Sequence, residues 1–151
     1  MNARVVGLHL HKRHGEHPVA VREAEGRVGG GIAGDSHVHR AKRGVVIVDR
    51  SVHEALGLQP GDLREQITIE GVPGVSLLTP DTELRVGGLT LRVSGECEPC
   101  THIGEMLGQD DVLAFQTSLE GRRGATCTVI AVDGPVRIGD AVHVLQVGIR
   151  V

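Results

Sequence analysis

The stretch 83-ELRVGGLTLRVSG-95 decides how this chain is read. Apolar and polar residues alternate on both sides of Gly87-Gly88. A period of two belongs to a half-buried strand, and paired glycines between two such runs are hairpin-turn chemistry. Working outward, 3-ARVVGLHLH-11, 44-GVVIVD-49, 66-QITIEGV-72, 125-ATCTVIAVDG-134 and 141-AVHVLQVGIRV-151 are rich in Val, Ile and Thr and mostly bounded by turn residues. They predict strands. The 22 glycines supply many tight turns. Helical signals are few. Ser51 with Glu54 has capping-box spacing before 52-VHEALG-57, and Gly57 is a stop signal. A second short helix is predicted in 110-DDVLAFQTSLEG-121, capped by Asp110 or Asp111, with Val112, Phe115 and Leu119 on one face. The expectation is an all-β chain, mainly strand with a few short helices, forming a closed or nearly closed β-barrel rather than a βαβ sheet.

Composition narrows the function. The 151 residues suit a single domain spanning 1–151, and 40% hydrophobic content suffices for a core. Phe115 is the single aromatic, so the core is built from aliphatic residues and stacking on nucleic-acid bases is excluded. A net charge of −3 gives no broad basic footprint for nucleic acid or an anionic membrane. The N-terminal 1-MNARVVGLHLHKRHGEH-17 carries charges and histidines where a signal core would be apolar, and no run reaches membrane-spanning length. Three cysteines, an odd number, fit a reducing cytoplasm. The glycine run 29-GGGIAGD-35 lacks the Lys-Ser/Thr ending of a phosphate-binding loop.

Chemistry concentrates in 95-GECEPCTHIGEM-106. Cys97 and Cys100 follow a strand, and Pro99 stiffens the backbone between them. Four readings remain open. The pair can supply half of a zinc site, with His102 or the groups His9, His11, His14, His17 and His37, His39 completing it. It can be a redox pair, although no βαβ context is visible. It can be a nucleophilic or sulfur-bearing thiol, or a thiolate ligand for a soft metal. That role wants positive charge, which Arg40, Arg43, Arg122 and Arg123 can supply against Glu96 and Glu98. Or the loop is exposed and its thiols inert. Cys127, inside 125-ATCTVIAV-132, reads as a small core residue.

The chain as a whole resembles the MOSC domain, the module named for the C-terminal part of molybdenum cofactor sulfurases, in its small stand-alone bacterial form. The resemblance rests on 31-GIAGDSH-37, which is similar to G-I-x-G-D-x-H; 44-GVVIVD-49; 64-REQITIEGV-72, similar to R-E-N-I-T-x-x-G; 84-LRVGGLTLRVSG-95; Pro99-Cys100; and 119-LEGRRGATCTVIAVDGPVRIGDAVHV-144. It implies a MOSC-type β-barrel that binds molybdenum cofactor, or carries sulfur as a cysteine persulfide. Cys100 would be the reactive cysteine and metal ligand, with Cys97 beside it. Gly34, Asp35, His37, Glu65 and Arg122 would line the cofactor cleft. The family often has arginine three residues before its P-C cysteine, where this chain has Cys97, and Gln66 stands for the usual Asn. The activity implied is sulfur transfer, or a component of a molybdenum-dependent oxidoreductase; partners implied are a cysteine desulfurase or a molybdoenzyme. The alternative is a non-catalytic zinc or small-ligand module built on Cys97 and Cys100. Pyridoxal phosphate is not expected, since neither Lys12 nor Lys42 stands out as a Schiff-base lysine.

The remaining polar residues have simpler readings. His9, His11, His14 and His17 read as a solvated strand end and loop. His37 and His39 share a side if the segment is extended, and read as surface histidines or a shared metal pair. Asp35 and Asp140 suit turns. Glu65 reads as a site residue or as a buried partner for an arginine. The run 144-VLQVGIRV-151, as an edge strand, can pair with a second copy to make a homodimer.

Overall fold

The glycine pair turns the chain where the alternation predicts. Glu83–Val86 and Leu89–Glu96 pair antiparallel, Val86 opposite Leu89, and Gly87 takes φ 55°, a left-handed conformation that side chains resist. The computed structural model describes residues 3–13, 16–97 and 101–146. In order, the elements are β1 (Arg4–Leu10), β2 (Val19–Ala20), β3 (Glu23–Ala24), β4 (Val45–Asp49), α1 (Arg50–Leu56), β5 (Ile67–Glu70), a 3-10 turn (Val75–Leu77), β6 (Glu83–Val86), β7 (Leu89–Glu96), α2 (Thr101–Met106), α3 (Val112–Ser118), β8 (Ala125–Val132), β9 (Val136–Arg137) and β10 (Val142–Gln146). The chain is mostly β with few, short helices. None of the helices described is long and apolar enough to cross a membrane.

Eight strands form one sheet in the order β10-β6-β7-β8-β4-β5-β1-β2, and β3 pairs with β9 alone. The expectation of closure is corrected: the ladder does not run continuously round a barrel. An isolated bridge from Arg4 to Ala141 draws its ends together. Val5 N–H donates to Asp140 O at 2.8 Å, and Gly139 N–H donates to Val5 O at 2.8 Å. Irregular register between Thr90 and Leu91, and between Val93 and Gly95, bends β7 against β8.

Against the expected absence of βαβ, β4 and β5 run parallel with α1 between them. The sequence of β4 explains why. Val45 and Ile47 join the main core, which Leu84, Leu89, Leu91 and Val129 share. Val46 and Val48 join a second cluster with Leu63, Cys97, Phe115 and Leu119. Both faces are covered, so the strand is a continuous apolar run, the pattern of a buried parallel strand.

The helix caps differ by small steps from expectation. Asp49, not Ser51, caps α1: its Oδ1 accepts from Ser51 N at 2.9 Å and Ser51 Oγ at 2.7 Å. Gly57 ends the helix. Asp111 caps α3, and Phe115 and Leu119 are buried while Val112 is only partly so. The helix α2 was not expected, nor were the two-residue strands β2, β3 and β9. Asp140 Oδ2 accepts from Arg137 N at 2.8 Å and shapes the turn there. The strand β10 pairs with β6; residues 147–151, the rest of the run that suggested a homodimer, lie outside the described residues.

Candidate functional site

Alternation in β1 sends Leu8 and Leu10 into the core and His9 and His11 to the opposite side. That side is not solvated. Two loops cover it. Gly61 packs so closely on His9 that a Cβ there would meet the ring at 2.8 Å. Ser36 N–H donates to His11 O at 2.7 Å and brings the turn after Gly34 over His11, whose exposure is 0%. The reading of His11 as solvated is therefore corrected.

Asp35 is the centre of this layer. Its Oδ1 accepts from His11 N at 2.7 Å and lies 3.1 Å from His11 Nδ1. Its Oδ2 accepts from His37 N at 2.9 Å and lies 3.3 Å from His37 Nδ1. Gln66 fixes the remaining polarity. Its Oε1 accepts from Val46 N at 2.7 Å, so the amide nitrogen must face the other way. That nitrogen donates to Asp35 Oδ2 at 3.2 Å and stands 3.3 Å from His11 Nδ1. Burial pushes the Asp35 carboxyl up, but bonds from His11 and His37 outweigh it and hold the pKa well below the usual range. His11 Nε2 has no partner among the described residues.

Cations gather next to this layer. Arg64 adopts a left-handed φ of 60° and donates from Nη1 to Glu16 O at 3.0 Å. Burial and then the Arg123 charge push its pKa down, with Asp35 opposing. Arg123 is buried, and its Nε and Nη1 find no partner among the described residues. Arg43 Nη2 donates to Cys97 Sγ at 3.7 Å. Cys97 N–H donates to Gly124 O at 2.8 Å, which ties the start of the cysteine loop to the Arg123–Gly124 turn.

Glu65 lies in a buried pair, not against an arginine. Its Oε2 is 2.5 Å from His53 Nε2 and accepts from Thr68 Oγ1 at 2.9 Å. Burial raises its pKa, but His53 and then Thr68 more than reverse that, so it stays ionised below the usual carboxylate range.

The residues expected at the site thus divide. Asp35 and His37 meet, but with His11 rather than His39, because 33–39 is a turn and not extended; His39 is exposed. Gly34 is exposed at the turn with φ 85°. Glu65 is buried one residue before Gln66. Cys97 is 1% exposed, in the second cluster. Arg122 is exposed, and it is Arg123 that points inward. Cys127 is wholly buried, and burial pushes its thiol up to about 12. Cys100, Pro99, Glu98 and His14 lie outside the described residues, as do the side chains of Glu96 and His102. Two hollows lie nearby: a cleft of about 460 Å³ along Arg27–Gly30, Gly34 and His39, and one of about 20 Å³ beside Arg64 and Met106. The larger has no buried charged group in its lining; the unpaired guanidinium donors are not there.

A curled, mostly β sheet with a carboxylate–histidine turn beside a cationic corner has a family. The MOSC domain model matches residues 36–143, and the chain belongs to that family. Among solved structures, YuaD from Bacillus subtilis is 23% identical with a TM-score of 0.82, covering 97% of this chain and 98% of that one. YiiM from Geobacillus stearothermophilus is 13% identical, TM-score 0.72, over 95% and 75% of the two chains. YiiM from Escherichia coli is 15% identical, TM-score 0.67, over 95% and 70%. At these identities the likeness is one of fold. No curated protein matches the sequence.

Proposed function

We propose that the protein binds an anionic, phosphate-bearing molybdenum cofactor, or delivers sulfur to one, with Cys100 as the sulfur-bearing residue. The observation that carries this reading is Arg123, a buried guanidinium with two nitrogens that have no partner among the described residues, beside a second arginine that feels its charge. A buried guanidinium whose donors find no partner among the described residues is costly, and an anion relieves the cost. Guanidinium groups match phosphate and oxo-anion geometry through paired N–H donors. The residues fit such a group in charge; the hollow beside Arg64 is about 20 Å³, so a full pterin requires the α2 side to move.

When bound, the cofactor supplies the redox-active metal. The protein supplies placement. Arg123 and Arg64 hold the anionic end. Arg43 donates to Cys97 and sets a cation against its sulfur. Three residues of chain span at most about 11 Å, which tethers Cys100 to this corner through Cys97. In sulfur loading, the Cys100 thiolate attacks the outer sulfur of a donor persulfide. The new bond is Sγ–S, the donor S–S bond breaks, and the donor leaves as a thiolate with the electron pair; no outside oxidant is consumed. A cysteine desulfurase suits the donor role and a molybdoenzyme the acceptor. The zinc alternative at Cys97 and Cys100 turns on Cys100 and the His102 side chain, which lie outside the described residues.

Persulfide trapping and mass spectrometry, after incubation with a cysteine desulfurase and cysteine, test the sulfur role. Wild type should gain one sulfur at Cys100 and Cys100→Ser none. Equal labelling of both would remove it.

A further inference from the structure

We propose that His11, Asp35 and His37 form a binding site for a divalent first-row transition ion of the zinc class, using none of the cysteines. Each residue offers one ligand atom, and the three atoms lie within 4.8 Å of one another. The spacing is that of a chelate. Zinc–nitrogen and zinc–oxygen bonds of about 2.0–2.2 Å place neighbouring donors of a tetrahedron roughly 3.3 Å apart. His11 Nδ1 lies 3.1 Å from Asp35 Oδ1 and His37 Nδ1 3.3 Å from Asp35 Oδ2, so the two rings flank the two oxygens of one carboxylate.

A second observation concerns His11 itself. Its side chain is 0% exposed, yet Nε2 has no partner among the described residues. Burial, not a hydrogen bond at Nε2, holds this ring in place, and it presents Nδ1 to the Asp35 carboxylate. His37 is the entrance, its side chain 28% exposed against 0% for Asp35.

The donor set selects the ion. Two imidazoles and one carboxylate suit Zn²⁺, Co²⁺, Ni²⁺ or Fe²⁺; Mg²⁺ and Ca²⁺ prefer oxygen. Arg64 also feels the Asp35 charge, which disfavours ions held by charge alone and leaves the nitrogens to supply affinity. The two backbone N–H donors steady the carboxylate, and Gln66 Nε2 lies within reach of both Asp35 Oδ2 and His11 Nδ1, so its amide must turn from the ring when an ion binds. Three protein ligands leave a fourth position for water or a ligand atom, as in catalytic rather than structural zinc sites.

The test uses the full chain, free of tags and stripped with chelator. Zinc titration against a competing chelator should give one ion per chain. Cobalt should give d–d bands without a thiolate charge-transfer band. His37→Gln, on the exposed side, should weaken zinc binding at least about tenfold, whereas Cys97→Ser should leave it unchanged. Histidine-selective ¹⁵N NMR on the unaltered protein should shift both rings on adding zinc. Equal affinity in His37→Gln, a thiolate band with cobalt, or unshifted rings would overturn the site. None of these readings depends on sulfur loading at Cys100.

Discussion

Replacing Arg123 with methionine should stabilise the protein and remove its response to anions. Arg123 is 6% exposed, and its Nε and Nη1 have no partner among the described residues. A buried donor without a partner costs about 1–3 kcal/mol. The methionine thioether occupies much of the same volume, brings no donor, and removes the charge that pushes against Arg64. Replacing a buried charge by an apolar group of similar volume can itself gain about 1–4 kcal/mol. Allowing for imperfect packing, the net gain should be on the order of 2 kcal/mol. For a chain this long, each kcal/mol moves Tm by about 2–4 °C, so Tm should rise by roughly 4–8 °C. Scanning calorimetry in a chloride buffer reads this directly. Phosphate or molybdate should then raise the wild-type Tm, by about 2.7 kcal/mol of stability at a hundred times Kd, and leave Arg123→Met unmoved. A Tm that falls in the variant, or equal anion responses in the two proteins, would refute the reasoning that Arg123 is held in readiness for an anion.

Two further outcomes follow from named groups. Acid should weaken the fold in a definite order. His9 has a pKa below its ordinary 6.5, burial outweighing Glu65, so its contribution is full above that value and declines as pH falls below it. Asp35 and Glu65 are held below 3.8 and 4.5, so theirs is lost as pH falls through the carboxylate range. Urea midpoints should be level between about pH 7 and 8, fall below about 6.5 and fall faster below about 4.5, and a midpoint that rises on going to about pH 5 would contradict this. Gly31→Ala would set a Cβ 2.1 Å from Gly44 O, backbone against backbone, whereas Gly74→Ala meets nothing within 4 Å. The first should cost about 3 kcal/mol and the second little, as measured by chemical denaturation; equal costs would show that the close approach at 31 and 44 does not matter.

Local patterns were legible and long-range cover was not. The hairpin at Gly87-Gly88, the strand content and the core position of Cys127 follow from period, turn residues and composition. His11 did not follow. In 8-LHLH-11 the alternation correctly separates leucines from histidines. It cannot say that residues from 33–37 and 61–66 return to roof the polar side. Glu65 met His53 instead of an arginine for the same reason: the partner comes from another element. The continuous apolar run of β4 hid a parallel pairing, because a strand buried on both faces shows no period. Asp49 took the cap from Ser51 because its carboxylate, two residues earlier, accepts from the Ser51 N–H and hydroxyl and starts the helix at Arg50. Two-residue strands carry no period at all. The turn 31-GIAGDSH-37 follows from resemblance alone, and the segment from residue 119 pointed to Arg122 where the buried arginine is Arg123, one residue on.

The extent of the family match has a practical side for anyone dividing this protein. A fragment trimmed to residues 36–143 would discard β1, leaving β5 without its antiparallel neighbour. It would strip Val5 and Leu8 from the interior and delete both His11 and Asp35. Such a fragment keeps the recognisable signature yet forfeits one wall of the molecule and two of the three side chains of the histidine–aspartate cluster. What similarity searching outlines is therefore smaller than what cooperative folding demands.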